Sequence, residues 1–90
     1  MTWDDQKRQE NLRKHGLDFV DVALLFAGNW IEREDVRYNY GEQRWVALGL
    51  IRGRTCVCVY TWRDGDRRII SLRKGNSREQ AGYREAFSND

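Results

Sequence analysis

Two short breaks, Arg52-Gly53 and Asp64-Gly65, divide residues 43–73 into three runs of extended character, and nothing else in the chain restricts its fold as much. A two-residue connection ending in glycine turns a strand back on itself, because the tight turn needs positive φ, which glycine adopts without steric penalty. Residues 43–51, 54–62 and 67–73 are therefore read as consecutive antiparallel strands. Residues 30–40 precede them as a weakly alternating, charge-laden run suited to an edge strand, turned by Gly41 and Glu42. The expected sheet is a four-stranded antiparallel meander.

Helical signals bracket this meander. Residues 4–15 are polar and helix-favouring, with Asp4 and Asp5 at the start, Lys14 and His15 in the last turn and Gly16 beyond. Only Leu12 and the flanking Trp3 and Leu17 can bury from this helix. Asp18 caps a second helix whose Phe19, Val22, Ala23 and Phe26 form a one-sided stripe, ended by Gly28 and Asn29. Ser77 and Gln80 resemble a capping box opening a final helix through Phe87, weakened by Gly82. The fold class is thus α+β: two N-terminal helices, the meander and a C-terminal helix. With 90 residues there is room for one core, so residues 1–90 are read as one domain. A charged fraction of 33% would suit disorder, but 40% apolar content, four tryptophans and no proline predict a folded chain.

Tight turns also set register. If Arg52-Gly53 is the first turn, Val46 faces Val59 and Leu48 faces Val57. If Asp64-Gly65 is the second, Val59 faces Ile70 and Val57 faces Leu72. One face is then aliphatic and is expected to receive the two N-terminal helices. The other carries Trp45, Ala47, Gly49, Cys56, Cys58, Tyr60, Trp62, Ile69, Ser71 and Arg73 and is expected to be the functional surface.

Thirteen of the sixteen basic residues are arginine, whose planar fork pairs with phosphate and carboxylate. Cys56 and Cys58 are read as small buried residues, because a metal site needs further ligands and His15 is the one histidine. No charged-then-apolar leader and no apolar run near 20 residues is present, so a cytoplasmic location is expected. No phosphate-binding loop, paired-cysteine zinc pattern or nucleophile elbow occurs either. Arginines, a few acids and one histidine can still suffice for RNA. Its 2′-hydroxyl is an internal nucleophile, so a protein need only align it, stabilise the transition state and help the leaving oxygen. Tyr60, Trp62 and Trp45 could stack unpaired bases, although packing is the commoner role of such rings.

The order and spacing of several short motifs resemble a known family. They begin at Trp3-Asp4, Lys7, Asn11 and Lys14-His15-Gly16-Leu17-Asp18-Phe19, with Ala23 and Phe26. They resume at Glu42-Gln43-Arg44-Trp45-Val46-Ala47, Gly49, Val59-Tyr60-Thr61 and Arg63. They close with Arg68-Ile69-Ile70-Ser71-Leu72-Arg73-Lys74, Arg78-Glu79 and Tyr83. This pattern is similar to that of the BrnT ribonuclease toxins, within the wider RelE and ParE-like fold group. Leu72 and Gly75 stand where the family usually has alanine, and Gly82 interrupts the last helix.

The resemblance implies a metal-independent ribonuclease with no cofactor that halts translation, with RNA as substrate. It also implies a hetero-oligomer with a BrnA-like ribbon-helix-helix antitoxin. Arg73 and Arg63, then Arg44, would stabilise phosphate charge; Glu79 or Glu42 would serve as base; Lys14, Lys74 or Tyr83 would donate a proton. His15 and Lys74 join the RNA-binding set. Each has a structural alternative: Lys14 and His15 suit a helix end, Glu42 can pair with Arg44, and Glu79 favours the start of its helix whatever the chemistry. Two other readings stay open, a non-catalytic RNA- or antitoxin-binding module and a ParE-like toxin with a non-RNA target.

Overall fold

Both predicted turns form with positive φ at each central residue, 51° and 79° at Arg52 and Gly53 and 54° and 77° at Asp64 and Gly65. That geometry matches the twist of the strands it joins. The computed structural model describes residues 1–88. Along the chain come β1 (Thr2–Trp3), α1 (Asp5–His15), a 3-10 turn (Phe19–Asp21) and α2 (Val22–Ala27). Then follow β2 (Trp30–Asp35), β3 (Arg44–Ile51), β4 (Arg54–Arg63), β5 (Asp66–Lys74) and α3 (Ser77–Ala86).

The architecture is α+β, but the sheet has five strands in the order β1-β5-β4-β3-β2, and β1 lies parallel to β5. The expected four-stranded, wholly antiparallel sheet is corrected on this point. A two-residue strand has no period to read, and β1 exists only because β5 offers its edge. Asn11 extends the same edge: its side chain accepts from Leu72 N at 3.0 Å and donates to Leu72 O at 2.8 Å. It also donates to Leu17 O at 3.0 Å. Asn11 is therefore the buried residue of α1, while Leu12, expected to bury, is exposed.

β3 and β4 pair as expected, Val46 with Val59 and Leu48 with Val57. In β4 and β5 the turn is also as expected, with Arg63 opposite Asp66, but the register slips between Val59 and Tyr60. Tyr60 faces Ile69 and Val59 faces Ser71, so Ile70 is the extra residue of a bulge. Val57 consequently faces Arg73, and Leu72 turns to the other side.

The face assignment is reversed. Phe19, Val22 and Leu25 bury against Ala47, Ile51, Cys56, Cys58, Tyr60, Ile69 and Leu72, so the N-terminal helices cover the mixed face. Size explains this. A Cβ at Gly49 would lie 2.8 Å from Leu25 Cγ, so α2 sits where the sheet is thinnest, over Ala47, Gly49 and the small cysteines. Both thiols are free and buried, and burial pushes that of Cys58 up to about 12.

The aliphatic face is the one left without the N-terminal helices. α3 crosses one end of it and contacts β2, β3 and β4, pinned by Tyr83, whose hydroxyl donates to Asn29 O at 2.9 Å. Val57 is buried there, while Leu48, Val59 and Ser71 stay half-exposed. The cap of α3 is Asn76 with Glu79, one residue before the expected Ser77 and Gln80. β2 stops at Asp35 rather than Tyr40, because that buried carboxylate gathers Arg37 and Tyr40 into a local knot.

Candidate nucleic-acid interface

Side chains alternate along each strand, so the open face carries Arg33 from β2, Arg44 from β3, Arg63 from β4, and Arg68, Ser71 and Arg73 from β5. The bulge at Ile70 lets Arg68 and Arg73, five positions apart, share that face.

Arg73 ends β5 against the first turn of α3. Its Nη1 donates to Glu79 Oε1 and its Nη2 to Oε2, both at 2.8 Å. Glu79 Oε1 also accepts from Asn76 N at 2.9 Å, so one carboxylate fixes the helix cap and the guanidinium together. The Arg73 hydrogen bonds hold the Glu79 carboxyl below its usual range against the opposing effect of burial. A carboxylate stabilised in this way is a weak proton acceptor, so its geometry suits positioning Arg73 better than acting as base. The Arg73 side chain itself is 41% exposed, which leaves its fork accessible to a ligand.

Glu42, Arg44 and Arg63 make a second cluster: Arg44 Nε donates to Glu42 Oε2 at 3.1 Å and Arg63 Nη2 approaches Oε1 at 3.5 Å. Arg63 lies six positions along β4 from Val57, the residue opposite Arg73. The backbones of the two clusters are therefore roughly 20 Å apart. As the side chains stand, they address different groups on a ligand.

Lys14 and His15 reach the face from α1, lining a cleft with Lys7, Ile70 and Ser71. Lys7 and Ile70 also line the neighbouring cleft that holds Glu42, Arg63 and Arg68. Together they form a groove beside β5, running from the end of α1 to the Glu42 cluster.

Other residues singled out from sequence lie elsewhere. Tyr60 is fully buried, its hydroxyl donating to Glu32 and its pKa pushed up to about 12 by burial, so its ring offers no face to a base. Trp45 is half-buried on the helix-covered face. Trp62 is half-exposed there too, packed edge-on to Tyr60 and 4.7 Å from the Arg67 guanidinium. None of the three shares a face with Arg73. Lys74 and Tyr83 line a cleft behind α3, and the buried Tyr83 hydroxyl is already engaged with Asn29. Sequence reasoning missed Lys7, Arg33 and Arg68. Counting from the Asp64-Gly65 turn pairs Arg68 with Thr61, but on the aliphatic face that the sequence pattern gave to the helices, so Arg68 read as covered.

Residues 3–79 match the model of a family described as the ribonuclease toxin BrnT of type II toxin-antitoxin systems. The chain belongs to the BrnT family. The match takes in every strand from Trp3 onward and both members of the Arg73–Glu79 fork, and it stops short of Tyr83. A comparison with curated proteins found no match. In this BrnT-family chain the fork, the Glu42 cluster and the α1 groove thus lie on the fold of a ribonuclease toxin, which acts on RNA and has an antitoxin partner. No helix among the described residues is long and apolar enough to cross a membrane.

Proposed function

We propose that the open sheet face cleaves single-stranded RNA endonucleolytically, without a metal ion, by attack of the 2′-hydroxyl on its own phosphate. The 2′-oxygen bonds to phosphorus and the bond to the 5′-oxygen breaks, giving a 2′,3′-cyclic phosphate and a 5′-hydroxyl. Arg73 stabilises the charge that develops on the phosphate. The imidazole of His15 takes the 2′-hydroxyl proton and the Lys14 ammonium supplies one to the leaving oxygen, roles imidazole and ammonium groups can fill. Arg44 and Arg63, oriented by Glu42, hold the strand farther along. The observation that carries this reading is the Arg73–Glu79 fork: an exposed guanidinium locked by a helix-capping carboxylate, on the face of a ribonuclease-toxin fold that the N-terminal helices leave open.

Such cleavage inhibits translation in the cytoplasm. The antitoxin is a BrnA-like ribbon-helix-helix protein whose acidic or aromatic side chains cover Arg73 or Arg63 in a hetero-oligomer. The test is purified protein with end-labelled RNA in EDTA, identifying the product ends. Cyclic phosphate and 5′-hydroxyl termini are expected. Bound but intact RNA would make the face a binding module, and neither binding nor cleavage would point to a non-RNA target.

A further inference from the structure

Behind α3 lies a cleft of about 550 Å³ that the proposed chemistry does not use. Arg54, Lys74 and Arg84 line it with Thr55, Gln80 and Tyr83, and no carboxylate does. Among the described residues these three cations form no ion pair, a state they share with Lys7, Arg13, Lys14, Arg33, Arg67, Arg68 and Arg78, but here three of them line one cleft. Their charge is not used to hold the fold. Arg84 sits in the last turn of α3, where a cation is favoured anyway, but Arg54 and Lys74 lie at strand ends and have no such reason to be there.

The walls are built to stay open. Gly75 N donates to Thr55 O at 2.9 Å, and a Cβ at Gly75 would meet Thr55 Cγ2 at 3.1 Å, so this corner passes close to β4 because it is glycine. Gln80 is tied to Gly75 O and Tyr83 to Asn29 O, which leaves the cations and the Thr55 hydroxyl free to meet a ligand. Lys74 follows Arg73, whose Nη1 donates to Lys74 O at 3.2 Å. The first turn of α3 therefore has the fork on one side and the basic cleft on the other.

We propose that this cleft is a phosphate subsite holding the RNA strand beyond the nucleotide at Arg73. The inference rests on the RNA-cleaving reading above. A single strand carries one charge per nucleotide, so a backbone engaged at Arg73 continues naturally into the neighbouring charge. Leu50 and the Tyr83 ring also line the cleft, so an acidic protein segment is the competing occupant, and loss of antitoxin binding alone would assign the cleft to it.

The experiment measures affinity for an uncleavable 2′-O-methyl oligoribonucleotide as salt is raised. It compares wild type with Arg54→Ala/Arg84→Ala and Arg54→Lys/Arg84→Lys, with melting curves confirming that each is folded. At roughly 0.7 per phosphate on a single strand, the alanine pair should lower the slope of log affinity against log salt by about 1.4, and the lysine pair should keep it. An alanine pair with unchanged slope and affinity overturns the subsite, as does one that loses only antitoxin binding. If wild type fails to bind the oligonucleotide at all, the RNA-cleaving reading itself falls.

Discussion

At Arg73 two errors of sequence reasoning cancel, and both have a physical cause. The alternation placed Arg73 opposite the helix-covered face by assuming an unbroken register and by giving the helices the aliphatic side. The bulge at Ile70 shifts the strand by one, and the helices choose the side with the small residues. Neither is signalled locally: no glycine marks the bulge, and an aliphatic face reads as core whichever layer covers it. The Arg73 fork with Glu79 is partly exposed, so Arg73→Ala should cost no more than about 1 kcal/mol. For a domain of this size that is a fall of several degrees in melting temperature. Cleavage should fall roughly a hundredfold to a thousandfold, as for loss of a preorganised donor at developing charge. Arg73→Lys should restore part of it, since it keeps the charge and loses the fork. Melting curves and single-turnover rates decide; a folded Arg73→Ala protein cutting at the wild-type rate would remove Arg73 from the mechanism.

Between elements, the contacts that dock helices on the sheet come from residues a hydrophobic pattern passes over. Asn11 satisfies both backbone groups of Leu72 from α1, doing for the edge of β5 what a neighbouring strand would do. Asn11→Ala leaves those buried groups and Leu17 O without their partner, at an expected cost of about 1–3 kcal/mol. Gly49→Ala pushes a methyl toward Leu25 Cγ and Leu25 O, at 2.8 and 3.1 Å, and overpacking of this kind costs about 1–3 kcal/mol. Both should lower the urea midpoint with an unchanged slope. A neutral Gly49→Ala would mean that α2 shifts freely over β3, contrary to the close approach seen here. The start of α1 was legible because Asp4 caps its own turn, whereas Asp18, read as capping the second helix, caps a 3-10 turn and α2 begins only at Val22. The knot at Asp35 was not, because it joins residues that each read as strand.

For the whole molecule, the acids define the range of stability. Hydrogen-bonded cations hold Asp18, Asp35 and Glu79 below their ordinary values, and the amino terminus does so for Asp66. A carboxyl whose folded pKa is depressed stabilises fully above its unfolded value, and that stabilisation is lost as pH falls through the folded one. On the alkaline side burial raises Cys58 and Tyr60 to about 12, so the unfolded chain ionises first and stability declines as pH rises above about 9. Melting temperature should be flat from about pH 5 to 9 and fall on both sides; an unchanged value at pH 3 would show that the carboxylate pairs contribute nothing. Much of this protein was determined by its sequence alone: the turns, the cap of α1, the β3–β4 register and the supply of arginine, because each depends on a residue and its near neighbours. Tertiary structure decided the rest. Which face the helices cover, where β5 slips and whether a cation meets a carboxylate or solvent depend on how distant segments fit, and a one-residue shift in a strand exchanges its buried and exposed sides.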